Sequence, residues 1–162
     1  MDGGSAARWL LIGNSRWHWA GLQDGELISW DADPAAAPGP SIRAWAAVGP
    51  VPAAADLPQE RRLRLADVPL AEAPSWLGID RALGGWQAWT ERGGPVLVAD
   101  AGTVLSLTRV DARGRFGGGR LMAGLALQLR AMAAGTEALP PPPPNGAVHD
   151  RLDQDPEPWP LE

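Results

Sequence analysis

Two short glycine turns and one acid–guanidinium pair carry what chemistry this sequence offers. The first turn is Gly13, Asn14 and Ser15, and the second is Asp100, Ala101, Gly102 and Thr103. Each leaves an apolar run, passes through glycine and ends on a hydroxyl residue. Glycine lets the backbone approach a phosphate without a Cβ in the way, while successive amides and the hydroxyl donate to phosphate oxygens. An aspartate at the strand end binds the accompanying metal directly or through water. Either turn alone reads as an ordinary hairpin. The two glycines stand 89 positions apart, at 13 and 102, which points to two similar halves facing each other across a cleft.

The third element is Gly78, Ile79, Asp80 and Arg81, following Pro74 and Leu77. At a helix N-terminus the dipole and free amides favour an anion. Arg81 can take a carboxylate bidentately, and Asp80 can accept a proton from a hydroxyl. A capping aspartate beside a surface arginine accounts for the same pair without any ligand.

Composition removes many alternatives. All 14 basic residues are arginine, and cysteine and tyrosine are absent. A P-loop or Schiff-base lysine, a cysteine nucleophile and a tyrosine acid are thereby excluded. His18 and His149 are the two histidines, too few to build a structural zinc site without thiolates. Catalysis must rest on carboxylates, hydroxyls, backbone amides and arginine. A net charge of −5 with scattered arginines argues against nucleic acid as partner. No apolar run approaches membrane-spanning length and no secretory pattern opens the chain, so no membrane partner and a cytoplasmic location are expected. The 45% hydrophobic content suffices for a core.

The elements that must position these residues follow from periodicity and turn chemistry. Residues 8–30 read as an antiparallel meander, with strands over 9–12, 16–22 and 26–30 and a hairpin turn at Asp24 and Gly25. Residues 31–40 read as a loop, 41–48 as a short helix running into a strand, 62–68 as a strand and 69–74 as a loop. Helical spacing predicts a helix over 78–92, ending at Gly93 and Gly94. A second meander follows, with strands over 96–99, 104–110 and 115–121 around a turn at 100–103, and then a helix over 125–132 ending at Gly135. Five consecutive prolines from Pro140 open a polar tail expected to be disordered. Trp9, Trp17, Trp19, Trp86 and Trp89 are expected in core or half-buried positions. His18 reads as a satisfied strand residue, His149 as solvated, and Arg61, Arg62 and Arg64 as a solvated strand face.

Together the three motifs resemble type III pantothenate kinase, a family of the acetate/sugar kinase, Hsp70 and actin superfamily. The likeness covers roughly residues 8–140. It rests on Gly13, Asn14 and Ser15, on Pro74, Leu77, Gly78, Asp80 and Arg81, and on Asp100, Ala101, Gly102 and Thr103. Gly118, Gly119, Gly124, Leu125, Gly135, Thr136, Leu139 and Pro140 continue it in order. The resemblance implies an α/β, ribonuclease-H-like (actin-like ATPase) fold, a mixed sheet with flanking helices and an incomplete second domain. Its domains would be 1–94, 95–139 and the tail 140–162.

It also implies ATP-dependent phosphorylation of pantothenate in a homodimer that uses Mg²⁺ and a monovalent cation, K⁺ or NH₄⁺. Asp80 would then be the general base, and Gly78 and Arg81 substrate contacts. Gly13, Asn14, Ser15, Gly102 and Thr103 would line the phosphates, and Asp100 would organise cation and phosphate. Phosphoryl transfer asks chiefly for positioning and charge neutralisation, which such a set can supply.

The chain departs from the family in three respects. Leu11 stands where the first motif has an aspartate, so transfer is expected to be impaired. Ala71 stands where the family has a tyrosine. Family members also continue for roughly another hundred residues, by resemblance, which predicts a truncated product with an open sheet edge and an uncovered apolar face. A non-catalytic nucleotide- or pantothenate-binding relative is the alternative reading.

Overall fold

A computed structural model describes residues 7–14, 16–32 and 42–137. The first meander folds as its alternation requires. Strand β1 (Arg8–Ile12) pairs antiparallel with β2 (Trp17–Gln23), and β2 with β3 (Glu26–Ala32). Asp24 (φ 52°) and Gly25 (φ 85°) form the two-residue hairpin between β2 and β3, both in the left-handed region that such turns need.

The short helix expected at the start of 41–48 is not found over 42–47: strand β4 (Ile42–Ala47) runs there, parallel to β1, giving the order β3-β2-β1-β4. Ile42, Trp45 and Ala46 are all buried, at a spacing that mimics a helical face. A parallel strand covered on both faces has no need to alternate, and this lack of alternation misled the reading of the sequence. Ser41 lies outside the described residues, as do 33–40.

The strand expected over 62–68 is also absent. Two 3₁₀ turns (Gln59–Arg61 and Leu65–Asp67) and a single bridge from Arg62 to Trp45 replace it. The Arg64 amide donates to the Asp67 carboxylate at 2.7 Å, a local bond that competes with any ladder. The arginine cluster is therefore no strand face: Arg61 donates to the Ile42 carbonyl, and the Arg62 guanidinium lies 5.0 Å from the centre of the Trp45 ring.

Helix α1 (Ile79–Arg92) follows with Gly78 as its N-cap, and Gly93 (φ 67°) closes it by donating to the Trp89 carbonyl. The second meander is β5 (Val96–Ala101), β6 (Val104–Val110) and β7 (Phe116–Ala123), antiparallel in that order. Its first turn is tighter than expected. Asp100 and Ala101 remain in the ladder opposite Ser106 and Leu105, leaving Gly102 and Thr103 to turn the chain. Helix α2 (Leu125–Gly135) begins at Leu125 and ends at Gly135, as expected. The proline tail lies outside the described residues.

Two cores hold these layers. Leu10, Ile12, Trp17, Trp19, Ile42, Trp45 and Leu57 fill one face of the first sheet. On its other face Ala46 and Leu11 pack with Leu77, Ile79 and Ala82 around the start of α1, and Val110 and Phe116 of the second sheet join the same cluster. Helix α1 thus lies between the two sheets, and its first turn is anchored to both. Trp17 and Trp19 are buried and Trp9, Trp86 and Trp89 half-buried, as their residue type suggests. Among the described residues β5 pairs only with β6, and Leu97 (64% exposed) and Leu121 (61%) stand in solvent, the open edge and bare apolar surface expected.

Candidate active site

The start of α1 seats the acid–guanidinium pair. The Asp80 carboxylate folds back over Gly78, where a Cβ would fall 2.5 Å from its Oδ1. Glycine at 78 is therefore the seat of the Asp80 carboxylate. The same oxygen accepts the Arg81 amide at 2.7 Å, and a negative charge in the first turn suits the helix dipole.

The Arg81 side chain reaches the other way, onto the second sheet. Its Nε donates to Thr108 Oγ1 at 3.0 Å and one terminal nitrogen to the Leu107 carbonyl at 3.0 Å. The β6–β7 register sets Gly119 opposite Thr108. A Cβ there would lie 2.5 Å from the guanidinium and 2.1 Å from the Leu107 oxygen. Gly119 is the opening through which Arg81 reaches the strand. In the sequence it stands beside Gly117 and Gly118, and nothing local names its partner. Thr108 was not singled out at all, because a threonine in an alternating strand has no local mark of a buried hydroxyl; it is 2% exposed.

Asp100 shares that face. It pairs with Ser106, which is buried, and on the same strand Thr108 and Val110 face Gly85 of α1. Directly paired residues project to the same side, so Asp100 stands diagonally from Thr108, at about 7–8 Å by ladder geometry. Its neighbouring turn is pinned by Gly124, whose amide donates to the Thr103 carbonyl at 3.0 Å. A Cβ on Gly124 would meet the Gly102 carbonyl at 2.1 Å. Among the described residues no group of three or more histidines and acids assembles a metal cage. One exposed carboxylate suits a Mg²⁺ held mainly by phosphate oxygens and water, as that ion usually is.

The first turn sits at the end of β1. Gly13 donates its amide to the Arg16 carbonyl at 2.9 Å, and the Gly49 backbone presses on it, since a Cβ at 49 would lie 2.3 Å from the Gly13 oxygen. Asn14 is exposed, and Ser15 lies outside the described residues. Leu11 is directed into the cluster with Ile79 and Ala82, so the turn and the Asp80 helix start share one face of the first sheet. A cavity of about 400 Å³ opens on the first sheet between Trp9, Leu11, His18, Ala44, Leu63 and Leu83, and none of the predicted site residues lines it.

The model of the family described as type III pantothenate kinase matches residues 60–150, a stretch that holds both Asp80 and Asp100. The chain belongs to the type III pantothenate kinase family. It is 41% identical to a type III pantothenate kinase of Synechococcus elongatus, over 81% of this chain and 62% of that protein. To the one of Thermosynechococcus vestitus it is 44% identical over 81% of this chain and 55% of that protein. The alignment with a Synechocystis relative, 33% identical, spans 100% of this chain and so includes the Gly13 turn. The chain covers less than two thirds of the length of these relatives. The family's actin-like ATPase fold accords with the mixed α/β layers described above.

Proposed function

We propose that the chain phosphorylates pantothenate with ATP, the first step toward coenzyme A. The observation that carries this reading is that Arg81, beside Asp80 at the start of α1, bonds to Thr108 on β6, the strand whose Ser106 pairs with Asp100. Arg81, fixed by Thr108 and Leu107, would receive the substrate carboxylate. Asp80 has one oxygen held by the Arg81 amide, and its other oxygen would accept the proton of the primary hydroxyl. That hydroxyl oxygen forms its bond to the γ-phosphorus while the bond from phosphorus to the ADP oxygen breaks, and ADP leaves.

The Gly13, Asn14 and Ser15 turn and the Gly102 and Thr103 turn would hold the phosphate chain through amides and hydroxyls. Asp100 would hold Mg²⁺, which when bound neutralises phosphate charge; a K⁺ or NH₄⁺ ion would add to that neutralisation. The reading places the protein in the cytoplasm as a homodimer. Among the described residues no helix is long and apolar enough to cross a membrane.

Leu11 favours a second reading, a nucleotide- or pantothenate-binding relative without turnover. Its hydrocarbon side chain, packed against α1, stands where the family carries a carboxylate. One assay separates the two: the chain is incubated with ATP, Mg²⁺, K⁺ and labelled pantothenate beside Asp80→Ala and Leu11→Asp. Formation of phosphopantothenate that Asp80→Ala lowers at least about hundredfold supports the kinase. Pantothenate binding without product in any variant refutes it, and a faster Leu11→Asp shows that the lost carboxylate limits the rate.

A further inference from the structure

We propose that His18, clamped by Asp31, is the cation of the first phosphate turn, donating from Nε2 to an oxygen of the nucleotide's phosphate chain. This rests on the reading that the Gly13 turn holds ATP.

The β1–β2 register sets His18 opposite Leu11, two residues before Gly13. Its ring lies over that glycine: a Cβ at 13 would be 3.3 Å from Nε2 and 3.5 Å from Cδ2. The Arg16 carbonyl oxygen, at 3.0 Å from that Cβ, and the imidazole together crowd Gly13, and Nε2 lies at the edge of the turn. The other ring nitrogen is already engaged, with Nδ1 2.7 Å from Asp31 Oδ1. A carboxylate only accepts, so Nδ1 carries the hydrogen, which leaves Nε2, at the turn, as the ring nitrogen that meets a ligand oxygen.

The charged groups facing the ring are Asp31 from β3 and Arg16 from the turn itself, while β1 opposes it with the apolar Leu11. Arg16 donates to the second Asp31 oxygen at 3.2 Å. The hydrogen bonds from His18 and Arg16 hold the Asp31 carboxyl below its ordinary range, so it stays a carboxylate beside the ring. An acid at position 11 would stand directly across from His18 and compete with phosphate for it. Leucine there leaves Nε2 to the ligand. The need is plain in a chain without lysine, in which Arg81 is engaged by β6 and Arg115 by Asp111 and Glu72.

Histidine-ring NMR on the full chain carrying His149→Gln, which leaves His18 as the one imidazole, tests this. ATP without metal, MgATP and pantothenate are added separately. The expected result is that ATP moves the His18 ring signals. His18→Gln should weaken ATP by about tenfold or more with pantothenate affinity unchanged, and Asp31→Asn should weaken ATP as well. Bound ATP that leaves the His18 signals unmoved overturns the proposal, and so does a chain that binds no ATP. Signals that move in a chain forming no phosphopantothenate uphold His18 and refute the kinase reading instead.

Discussion

Thr108→Val isolates one atom of the site. The substitution keeps the branched shape of a residue only 2% exposed and removes the hydroxyl that accepts the Arg81 Nε at 3.0 Å. No cavity forms, because the Cγ2 methyl that faces Gly85 of α1 remains. A hydrogen bond to a charged partner contributes about 1.5–3 kcal/mol net. Arg81 is half-buried and keeps its bond to Leu107, so water and that carbonyl recover part of it, leaving about 1–2 kcal/mol. Urea unfolding followed by tryptophan fluorescence reads this as a midpoint lowered by about 0.5–1 M at an ordinary slope of about 2 kcal/mol/M. Thr108→Ser, which keeps the hydroxyl and loses one methyl, should fall by about 0.8 kcal/mol. Pantothenate affinity should fall with Val and survive with Ser. A Val variant as stable as the parent, or one that binds pantothenate unchanged, refutes the claim that Thr108 positions Arg81.

Other predictions follow from neighbouring geometry. Gly84→Ala should stabilise by about 0.5–1 kcal/mol in thermal melts, since a Cβ there meets nothing and the helix gains propensity; Gly85→Ala should gain less, because its Cβ would press on Val110 and Thr108 at 3.2 and 3.3 Å. Gly49→Ala should destabilise by about 1–3 kcal/mol and weaken ATP binding, because its Cβ would displace the Gly13 carbonyl. The Asp111 carboxyl is held at about 2 by hydrogen bonds from the Arg115 side chain and from the Arg115 and Arg113 amides. A depressed carboxyl contributes stability above its unfolded value of 3.8 that is lost as pH falls toward about 2, so Asp111→Asn should flatten acid unfolding in that window.

What the sequence disclosed and what it hid separate along the distance over which a residue acts. Asp24 and Gly25, Gly78 before the helix and Gly93 after it are local signals, and each marks the element the structure builds. The helical pattern at 42–46 misled because burial on both faces of β4 depends on strands and helices far away in the chain. The site divides in the same way. Asp80, Arg81 and Asp100 were visible as types in order, whereas Thr108, Gly119, Gly49 and Gly124 acquire their roles only when a register brings them against a motif. His18 shows how far this goes. As a strand residue with no triad about it, it looked merely satisfied. Its partner Asp31 lies 13 positions on, across a hairpin, and the glycine beneath its ring was already marked for a different reason. The hairpin turn at 24 and 25 fixes the β2–β3 register, and through it the Asp31 carboxylate orients an imidazole over the Gly13 turn. A one-residue slip of that hairpin would carry Asp31 to the opposite face and leave His18 without its clamp.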